Sequence, residues 1–327
     1  MTTILLVKTS SLGDVIHNLP VVNDLLAHMP DAKIDWMVEE NFADLVRLHP
    51  GVRNVIPVAV RRWRKALLSR QTWREIGALR QRLEPEQYDL IIDSQGLIKS
   101  ALLASQAHGL RCGFSRETAR EPIAARWYDR EYDIPRRLHA VMRNRWLAAA
   151  VSEQLPPDNE PDYGLQVTPL QAEWLSTAHP YVVLLTATSR ADKQWAREHW
   201  LTLANALHQQ GLRAILPAGS DDERRFASQL AADMPYAIAA PPLSLPQLAG
   251  LMQGATAVIG VDTGLTHLAA ALCKPTVALF SASDPELTGV VAGRSHTPAL
   301  AWSLGKRAHP PTPAEVIAAL NAAGVLQ

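Results

Sequence analysis

A carboxylate near the amino terminus is the first candidate for chemistry. Asp14 follows the run Lys-Thr-Ser-Ser-Leu-Gly of residues 8–13, which comes directly after a short apolar stretch. At a helix start a carboxylate tends to stay ionised, which suits a general base that must carry charge at neutral pH. Aspartate also caps helices at this position, so a structural role stays open. His17 shares the helix face of Asp14 and is more typical of a packing or orienting histidine.

A second candidate follows an apolar run near residue 260. Residues 258–270 read Val-Ile-Gly-Val-Asp-Thr-Gly-Leu-Thr-His-Leu-Ala-Ala, a pattern typical of a buried strand that turns directly into a helix. The N–H groups at such a helix start attract phosphate. Thr263 adds a hydroxyl and Gly264 lets an anion approach the main chain. The pattern favours a phosphate site over the alternative, an ordinary turn capped by Asp262 or Thr263.

A third segment, 185–195, carries hydroxyl groups and an ammonium group. Thr188, Ser189 and Lys193 could hold a diphosphate while negative charge develops on it. On its own, however, the segment is more typical of a solvated loop with an exposed lysine.

A fourth segment is strongly basic. Residues 61–65 read Arg-Arg-Trp-Arg-Lys, and across 61–82 eight basic residues stand against one acid, Glu75. Trp63 would add an apolar surface beside the charge. The run fits an anionic membrane surface, a phosphorylated amphiphile or, least well, nucleic acid. A plain solvated helix face is the alternative.

Short apolar runs alternate with amphipathic stretches and would position these segments. Such a βαβ rhythm predicts parallel sheets covered by helices. The rhythm is interrupted by the Pro-rich segment 155–162 and then restarts. We therefore predict an α/β protein with two domains, at 1–152 and 166–312, joined by a linker at 153–165. A closing helix at 313–327 is expected to pack back on the first domain or to remain with the second. Ligands of two such lobes usually bind between them, at the carboxyl ends of the strands.

Composition narrows the functional class. No P-loop, G-x-G-x-x-G fingerprint, G-x-S-x-G elbow or H-E-x-x-H motif is present. No Asp-x-Asp pair could hold a divalent ion against a diphosphate, so we expect no metal and no cofactor. Residues 1–152 carry 22 Lys and Arg against 17 Asp and Glu, which makes this half the side expected to meet an anionic partner. No apolar run is long enough for a signal peptide or a membrane span, so a cytoplasmic protein is expected.

Several motifs together resemble the lipopolysaccharide heptosyltransferase family, and within it the type I branch. They are the opening 8–20, the basic segment with its flanks at 55–66, Asp-Ser-Gln-Gly-Leu at 93–97, Thr-Ala-Arg-Glu-Pro at 118–122 and Val-Asp-Thr-Gly-Leu-Thr-His at 261–267. The matches spread from residue 4 to about 290. Asp-Thr-Gly-Leu-x-His is common to the wider family, whereas Arg-Arg-Trp-Arg-Lys and Lys-Thr-Ser-Ser favour type I over type II.

The resemblance implies a GT-B fold, with two Rossmann-like lobes whose parallel sheets face each other across a central cleft. It implies an inverting, metal-independent transfer of heptose from ADP-heptose to the Kdo sugar of Kdo-lipid A. By this analogy Asp14 is the base, and ADP leaves toward the helix start at Thr263. It also implies an acceptor-binding first domain, an ADP-heptose-binding second domain and peripheral attachment to the cytoplasmic face of the inner membrane.

The resemblance also assigns the remaining site residues. Lys193 would serve both catalysis and binding of the donor phosphates. The other donor-binding residues would be Thr188, Ser189, Glu223, Leu243, Asp262, Thr263, Gly264 and His267. The acceptor-binding residues would be Ser10, Ser11, Gly13, Arg61, Arg62, Arg64, Lys65 and Arg120.

Two positions depart from the family pattern, and other functions compete. Ser189 stands where a threonine is expected and Leu243 where a methionine is expected, which puts only affinity and packing in doubt.

A type II heptosyltransferase, which uses a heptosylated acceptor, is the nearest alternative. A nicotinamide-dependent oxidoreductase lacks its glycine fingerprint here. A two-lobed solute-binding protein would normally be exported.

Overall fold

The computed structural model describes residues 1–175, 179–188, 190–294 and 301–326. The chain divides into two compact units, Met1–Gln166 and Val167–Gln327. The segment predicted as a linker belongs to the first unit. Arg145, which is fully buried, binds it there by donating to the Asn159 carbonyl at 2.7 Å and by pairing with Asp24 at 2.7 Å.

The first unit is built on a six-stranded parallel sheet with the order β3-β2-β1-β4-β5-β6. Its strands are β1 (Thr3–Val7), β2 (Lys33–Glu39), β3 (Val52–Val58), β4 (Gln87–Asp93), β5 (His108–Phe114) and β6 (Arg130–Tyr132). The central strand β1 is buried along almost its whole length. Such continuous apolar runs are expected where helices cover both faces of a parallel sheet.

The helices of the first unit follow the strands. They are α1 (Leu12–Ile16), α2 (Leu19–His28), α3 (Ala43–Val46), α4 (Val60–Lys65), α5 (Arg70–Leu83), α6 (Ile98–Ala104) and α7 (Ala140–Val151), with 3₁₀ turns at Glu40–Phe42 and Pro122–Trp127. The amphipathic pattern of residues 14–27 predicts one continuous helix, but the chain breaks at His17 and Asn18. Pro20 explains the break, because it lacks the N–H that would continue the helical hydrogen bonds.

The second unit repeats this architecture with the order β12-β11-β10-β7-β8-β9. Its strands are β7 (Tyr181–Leu185), β8 (Arg213–Leu216), β9 (Ala237–Ala239), β10 (Ala257–Val261), β11 (Thr276–Leu279) and β12 (Ala301–Leu304). In each unit the first strand therefore lies between the second and the fourth. That order is the doubly wound, Rossmann-like one, and the predicted α/β fold with two parallel sheets is confirmed.

The helices of the second unit are α8 (Arg197–Gln209), α9 (Asp221–Ala232), α10 (Leu245–Gly254), α11 (Gly264–Ala271), α12 (Pro285–Thr288) and α13 (Pro313–Ala322), with a 3₁₀ turn at Ala191–Lys193. The sequence left open which domain the closing helix packs against. Val316, Ala319 and Leu320 of α13 are buried in the core of the second unit, where α13 contacts α8 and β11. Its apolar face is covered there.

No helix within the described ranges is both long and apolar enough to cross a bilayer.

Candidate active site

The carboxyl edge of the first sheet carries Asp14. The residue lies in the first turn of α1, directly after β1, and its side chain is 17% exposed. One carboxylate oxygen accepts hydrogen bonds from the Ser11 amide at 2.9 Å and the Ser11 hydroxyl at 3.2 Å. Arg120, which follows β5, donates to the other oxygen at 2.5 Å. The structure is thus compatible with both roles considered for Asp14, helix capping and general base, because the side chain caps its helix and also faces a cation.

Charge keeps Asp14 ionised. Burial alone would raise its pKa, but the positive charges of Lys8 and Arg120 outweigh that effect and hold the pKa well below its usual range. Lys8 is itself buried, and its ammonium donates to the Ser94 carbonyl at 2.6 Å and to Asn144 Oδ1 at 3.2 Å. Burial lowers the pKa of Lys8 to about 8, although the negative charge of Asp14 counteracts this.

The end of β4 supports the loop that carries Ser10 and Ser11. Gln95 Oε1 accepts from the amides of Thr9 and Ser10, both at 3.1 Å. Asp93 is completely buried and in turn accepts from the Gln95 amide at 2.9 Å and from Ser100 and Tyr128 hydroxyls, both at 2.8 Å. Burial raises the pKa of Asp93 despite these donors. The Asp93 carboxylate therefore holds Gln95 in position, and Gln95 in turn holds the loop that carries Ser10 and Ser11.

Lys99 also belongs to this site, although the sequence did not predict it. It lies in the first turn of α6, directly after the β4 loop, and its ammonium donates to Ser10 Oγ at 2.8 Å. Burial lowers its pKa, and the nearby charges of Arg61 and Arg64 act in the same direction. One feature of the sequence could have indicated this residue, because Lys99 lies six residues after Asp93, the buried last residue of β4. Since β1 and β4 are neighbouring parallel strands, their carboxyl ends meet, and this places Lys99 near the Asp14 loop.

The basic segment follows β3 and forms α4, on the same edge. Arg61 lies over the ring of Phe42, 5.5 Å from its centroid, and Arg64 and Lys65 are exposed. Arg62 is already paired with two acids, Glu40 at 3.0 Å and Glu75 at 2.8 Å. The segment therefore presents fewer available cations than its composition indicates.

The position of Trp63 corrects an expectation. Its side chain is 8% exposed and belongs to the core of the first unit, and its indole N–H donates to Glu75 at 2.6 Å. The 3.6-residue period of α4 turns this residue inward while its basic neighbours point outward. Trp63 therefore contributes little of the exposed apolar surface that the sequence predicted beside the basic residues.

The carboxyl edge of the second sheet carries a cluster around Asp262, which directly follows β10. Lys193 donates to its carboxylate at 2.5 Å, Ser283 Oγ also donates to it, and His267 Nε2 lies 3.6 Å from its other oxygen. Burial would raise the pKa of Asp262, but the hydrogen bonds from His267, Lys193 and Ser283 hold it well below the usual range. Lys193 is 18% exposed, so the expectation of a solvated lysine is wrong.

Helix α11 starts directly behind this carboxylate. Thr263 is its N-cap residue with an extended backbone, and Gly264 is its first helical residue. Thr266 anchors the turn by donating to the Val261 carbonyl at 2.7 Å. Gly260 is required here, because a Cβ on it would lie 2.5 Å from Thr266 Oγ1 and 2.7 Å from Leu185 Cβ. The close packing holds the helix start against the strands.

Three further predicted residues follow neighbouring strands at this edge. Thr188 comes after β7, and its hydroxyl accepts from the Arg190 amide at 3.3 Å. Glu223 follows β8 and is half of a capping box, accepting from the Ser220 amide at 2.9 Å. Leu243 follows β9 and is half-buried. Ser189 lies outside the described residues.

Each unit thus gathers its predicted residues at one sheet edge, and the key side chains lie where the first and fourth strands adjoin. Ligands of doubly wound sheets bind at such topological switch points. The first edge offers an ionised carboxylate among cations, which suits an anionic molecule with a hydroxyl to activate. The second edge offers an ammonium, a hydroxyl and a helix start, which suit a phosphate. The described residues contain no group of three or more His, Cys, Asp or Glu arranged as metal ligands.

Comparisons with known proteins agree with the motifs. Residues 76–307 match the model of Glycosyltransferase family 9 (heptosyltransferase). Lipopolysaccharide heptosyltransferase 1 of Escherichia coli (strain K12) is 43% identical over 290 residues, which are 88% of this chain and 90% of that protein. The Pseudomonas aeruginosa protein of the same name is 44% identical over 299 residues, covering 89% of this chain and 82% of that one.

Solved structures give the same relationship. E. coli heptosyltransferase WaaC with ADP matches with a TM-score of 0.89 and 37% identity, covering 98% of this chain and 99% of that one. The same protein with ADP-2-deoxy-2-fluoro heptose matches with a TM-score of 0.86, covering 98% and 100%. The resemblance drawn from the motifs is confirmed, and the chain belongs to glycosyltransferase family 9, the heptosyltransferases.

Proposed function

We propose that this glycosyltransferase moves L-glycero-D-manno-heptose from ADP-heptose to the Kdo sugar of Kdo-lipid A in lipopolysaccharide inner-core synthesis. The observation that carries the proposal is the ionised Asp14 at the switch point of the first sheet, flanked by the exposed cation Arg120. The name of the E. coli relative and the heptose nucleotide analogue bound to WaaC support the choice of sugar and donor.

In this proposal Asp14 acts as general base. A Kdo hydroxyl attacks the anomeric carbon of heptose and gives its proton to the Asp14 carboxylate. The new C–O bond forms as the bond to the diphosphate breaks, and ADP leaves with the bonding electrons. Attack opposite the leaving group inverts the anomeric carbon. Proton acceptance by a positioned side chain typically contributes a factor of about 10²–10⁴ in rate.

Arg120 must release Asp14 for this step. Its guanidinium is 43% exposed, so it can exchange the Asp14 carboxylate for an anionic group of the acceptor. The exchange would raise the basicity of Asp14 only when acceptor is bound, since a carboxylate is a stronger base once a cation leaves it. Arg120 thereby couples acceptor binding to activation of the base.

The second unit would hold the donor. Lys193 and the helix start at Thr263 and Gly264 suit the diphosphate, whose negative charge grows as it leaves. Asp262 and His267 keep Lys193 in position. Thr188 and Ser189 would add hydroxyl donors, Glu223 would bind the ribose and Leu243 would pack near the adenine. The proposal requires no metal ion, because fixed positive charge can stabilise the leaving group.

The first unit would hold the acceptor. Ser10, Ser11 and Gly13 border Asp14, and the cations available to anionic groups are Arg61, Arg64, Lys65 and Arg120, with Arg62 as the fifth predicted contact. Because the acceptor is a membrane lipid, we further propose that the enzyme attaches peripherally to the cytoplasmic face of the inner membrane. Its basic first unit suits an anionic surface.

The test is ADP release from ADP-heptose with and without fully deacylated Kdo-lipid A. Wild type should release ADP only when acceptor is present. Asp14→Asn should reduce turnover at least about a hundredfold, with the ADP-heptose dissociation constant nearly unchanged by calorimetry. The matched control is Asp44→Asn, since Asp44 is an exposed aspartate of α3 paired with Arg47.

Other outcomes would change the assignment. Equal loss of donor binding in Asp14→Asn would make this residue a donor ligand or a structural one. If folded wild type released ADP only with a heptosylated acceptor, the type II activity would replace the one proposed.

A further inference from the structure

The first unit contains an apolar groove beside its candidate active site. Helices α4, α5 and α6 enclose about 720 Å³, with Val60, Trp63, Ile76, Leu79 and Leu103 among the apolar residues that line it. Trp63, Leu79 and Leu103 are buried core residues, so the inner wall of the groove is the core itself.

The rim of the groove is apolar as well as exposed. Leu67, Trp73 and Leu102 are 56%, 59% and 45% exposed. The Trp73 indole donates to the Leu67 carbonyl at 2.8 Å, which fixes the turn between α4 and α5 as one wall. Contiguous exposed apolar surface of this kind usually marks a binding site.

Cations surround this apolar surface. Arg64, Arg80 and Lys99 line the groove, and the one acid among its lining residues is Glu121. The Glu121 carboxylate already accepts the Ile98 amide at 2.7 Å. An apolar groove with a positively charged border is complementary to an anionic amphiphile.

One end of the groove reaches the reactive residues. Lys99 lines the groove and also donates to Ser10 Oγ, next to the Asp14 loop. Glu121 lines the groove next to Arg120, which pairs with Asp14. A molecule whose polar head is held at Asp14 could therefore lay an apolar tail along α6.

We propose that this groove binds an acyl chain of the lipid acceptor. A hydrocarbon chain fits better than a peptide, because a peptide would bring N–H and C=O groups against walls that are mostly apolar. This inference rests on the proposed function, since it takes the acceptor to be an anionic lipid. It adds that the enzyme binds an acyl chain of the acceptor as well as its sugars.

The first test compares two acceptors below their critical micelle concentrations, a fully deacylated one and one that keeps a single acyl chain. Each methylene removed from water is worth about fourfold in affinity, so the wild-type acceptor KM should be at least about tenfold lower for the acylated compound. The double variant Leu67→Ser with Leu102→Ser should lose most of that preference. Leu68→Ser is the matched control, because Leu68 is fully exposed and is not a lining residue.

The outcomes separate this inference from its alternatives. Equal KM values for both acceptors in wild type, or an unchanged preference in the double variant, would overturn the inference while the transferase assignment stands. Loss of the preference in Leu68→Ser as well would overturn it in favour of unspecific contact between the acyl chain and the exposed turn that joins α4 to α5.

A second measurement does not depend on turnover. Monododecyl phosphate, used below its critical micelle concentration, should bind wild type in calorimetry and compete with the deacylated acceptor. Inorganic phosphate should bind at least about tenfold more weakly, because it lacks the chain. If neither acceptor is turned over, the proposed function fails, and dodecyl phosphate binding that is lost in the double variant would still support the groove. Equal binding by the double variant would refute it.

Discussion

The ammonium of Lys193 lies 2.5 Å from a carboxylate oxygen of Asp262, although 69 positions separate the two residues in the chain. The pair joins the segment after β7 to the end of β10, the two strands that adjoin at the centre of the second sheet. Asp262 is largely buried and needs this partner, because an unpaired buried carboxylate is costly. The pair therefore fixes the direction of the lysine before any phosphate binds.

Replacing this lysine should weaken phosphate binding. In Lys193→Met we expect the ADP dissociation constant to rise about 10- to 100-fold, the usual effect of losing one charge-assisted hydrogen bond. Lys193→Arg should recover part of the affinity. Calorimetric titration with ADP measures both, with Lys33→Met at the start of β2 as control. If Lys193→Met bound ADP as tightly as wild type, the lysine would only pair with Asp262 and would not contribute to ADP binding.

The amine of Lys8 should titrate near pH 8. Its burial lowers the pKa to about 8, whereas the ordinary lysine value is about 10.4. In Asp14→Asn the pKa should fall further, because a neighbouring negative charge that favours the ammonium is removed. Titration of ¹³Cε-labelled lysine by NMR measures this, with the resonance identified by its absence in Lys8→Met. Asp44→Asn should leave it unmoved, and titration above pH 10 in wild type would contradict the assignment.

Neighbouring arginines of α4 should differ in their effect on the acceptor. Arg61→Ala with Arg64→Ala should raise the acceptor KM at least about tenfold, and added salt should narrow the difference from wild type. Arg62→Ala should raise it less, since Arg62 is already paired with Glu40 and Glu75. Steady-state kinetics with the deacylated acceptor at two salt concentrations measures both. An increase of the acceptor KM in Arg62→Ala as large as that in the double variant would mean that acceptor binding breaks the ion pairs of Arg62.

Two glycines should respond oppositely to alanine. Gly260→Ala should destabilise the protein by about 1–3 kcal/mol, because the new methyl group meets Thr266 Oγ1 and Leu185 in a packed region. Gly77→Ala should stabilise it by about 0.5–1 kcal/mol, since Gly77 lies inside α5 and a Cβ there meets nothing within 4 Å. Urea denaturation measures both. Equal stability of the two variants would contradict the tight packing at α11.

The apolar runs of the sequence predicted eight strands, which correspond to β1, β2, β3, β4, β7, β8, β10 and β11. β1, β7 and β10 are buried along almost their whole length and β4 over its last three residues, which makes the four visible as apolar runs. β6 and β9 have three residues each and no such run, and β5 contains two glycines, Gly109 and Gly113. Their pairing depends on contacts with neighbours, which no local pattern records.

The candidate site was predicted in the same uneven way. Asp14 and Asp262 follow strong strand patterns, so their positions could be inferred. The pairing of Arg120 with Asp14 spans 106 positions, and the contact of Lys99 with Ser10 spans 89. Such contacts arise from the strand order, which the sequence did not reveal. The sequence also left open which domain the closing helix packs against, because its apolar face would fit an apolar surface on either domain.

The strand order also determines when the first site can exist during synthesis. Lys8 bonds the Ser94 carbonyl 86 positions later, so the Asp14 loop lacks its hydrogen bonds to the end of β4 until that strand has been synthesised. A nascent chain that holds only β1, β2 and β3 can pair those strands, yet Lys8 and Asp14 still lack the partners that follow β4 and β5. Since chains grow at about 5–20 residues per second, this interval lasts seconds. The reactive edge can be completed only after Ser94, Arg120 and Asn144 have all been synthesised.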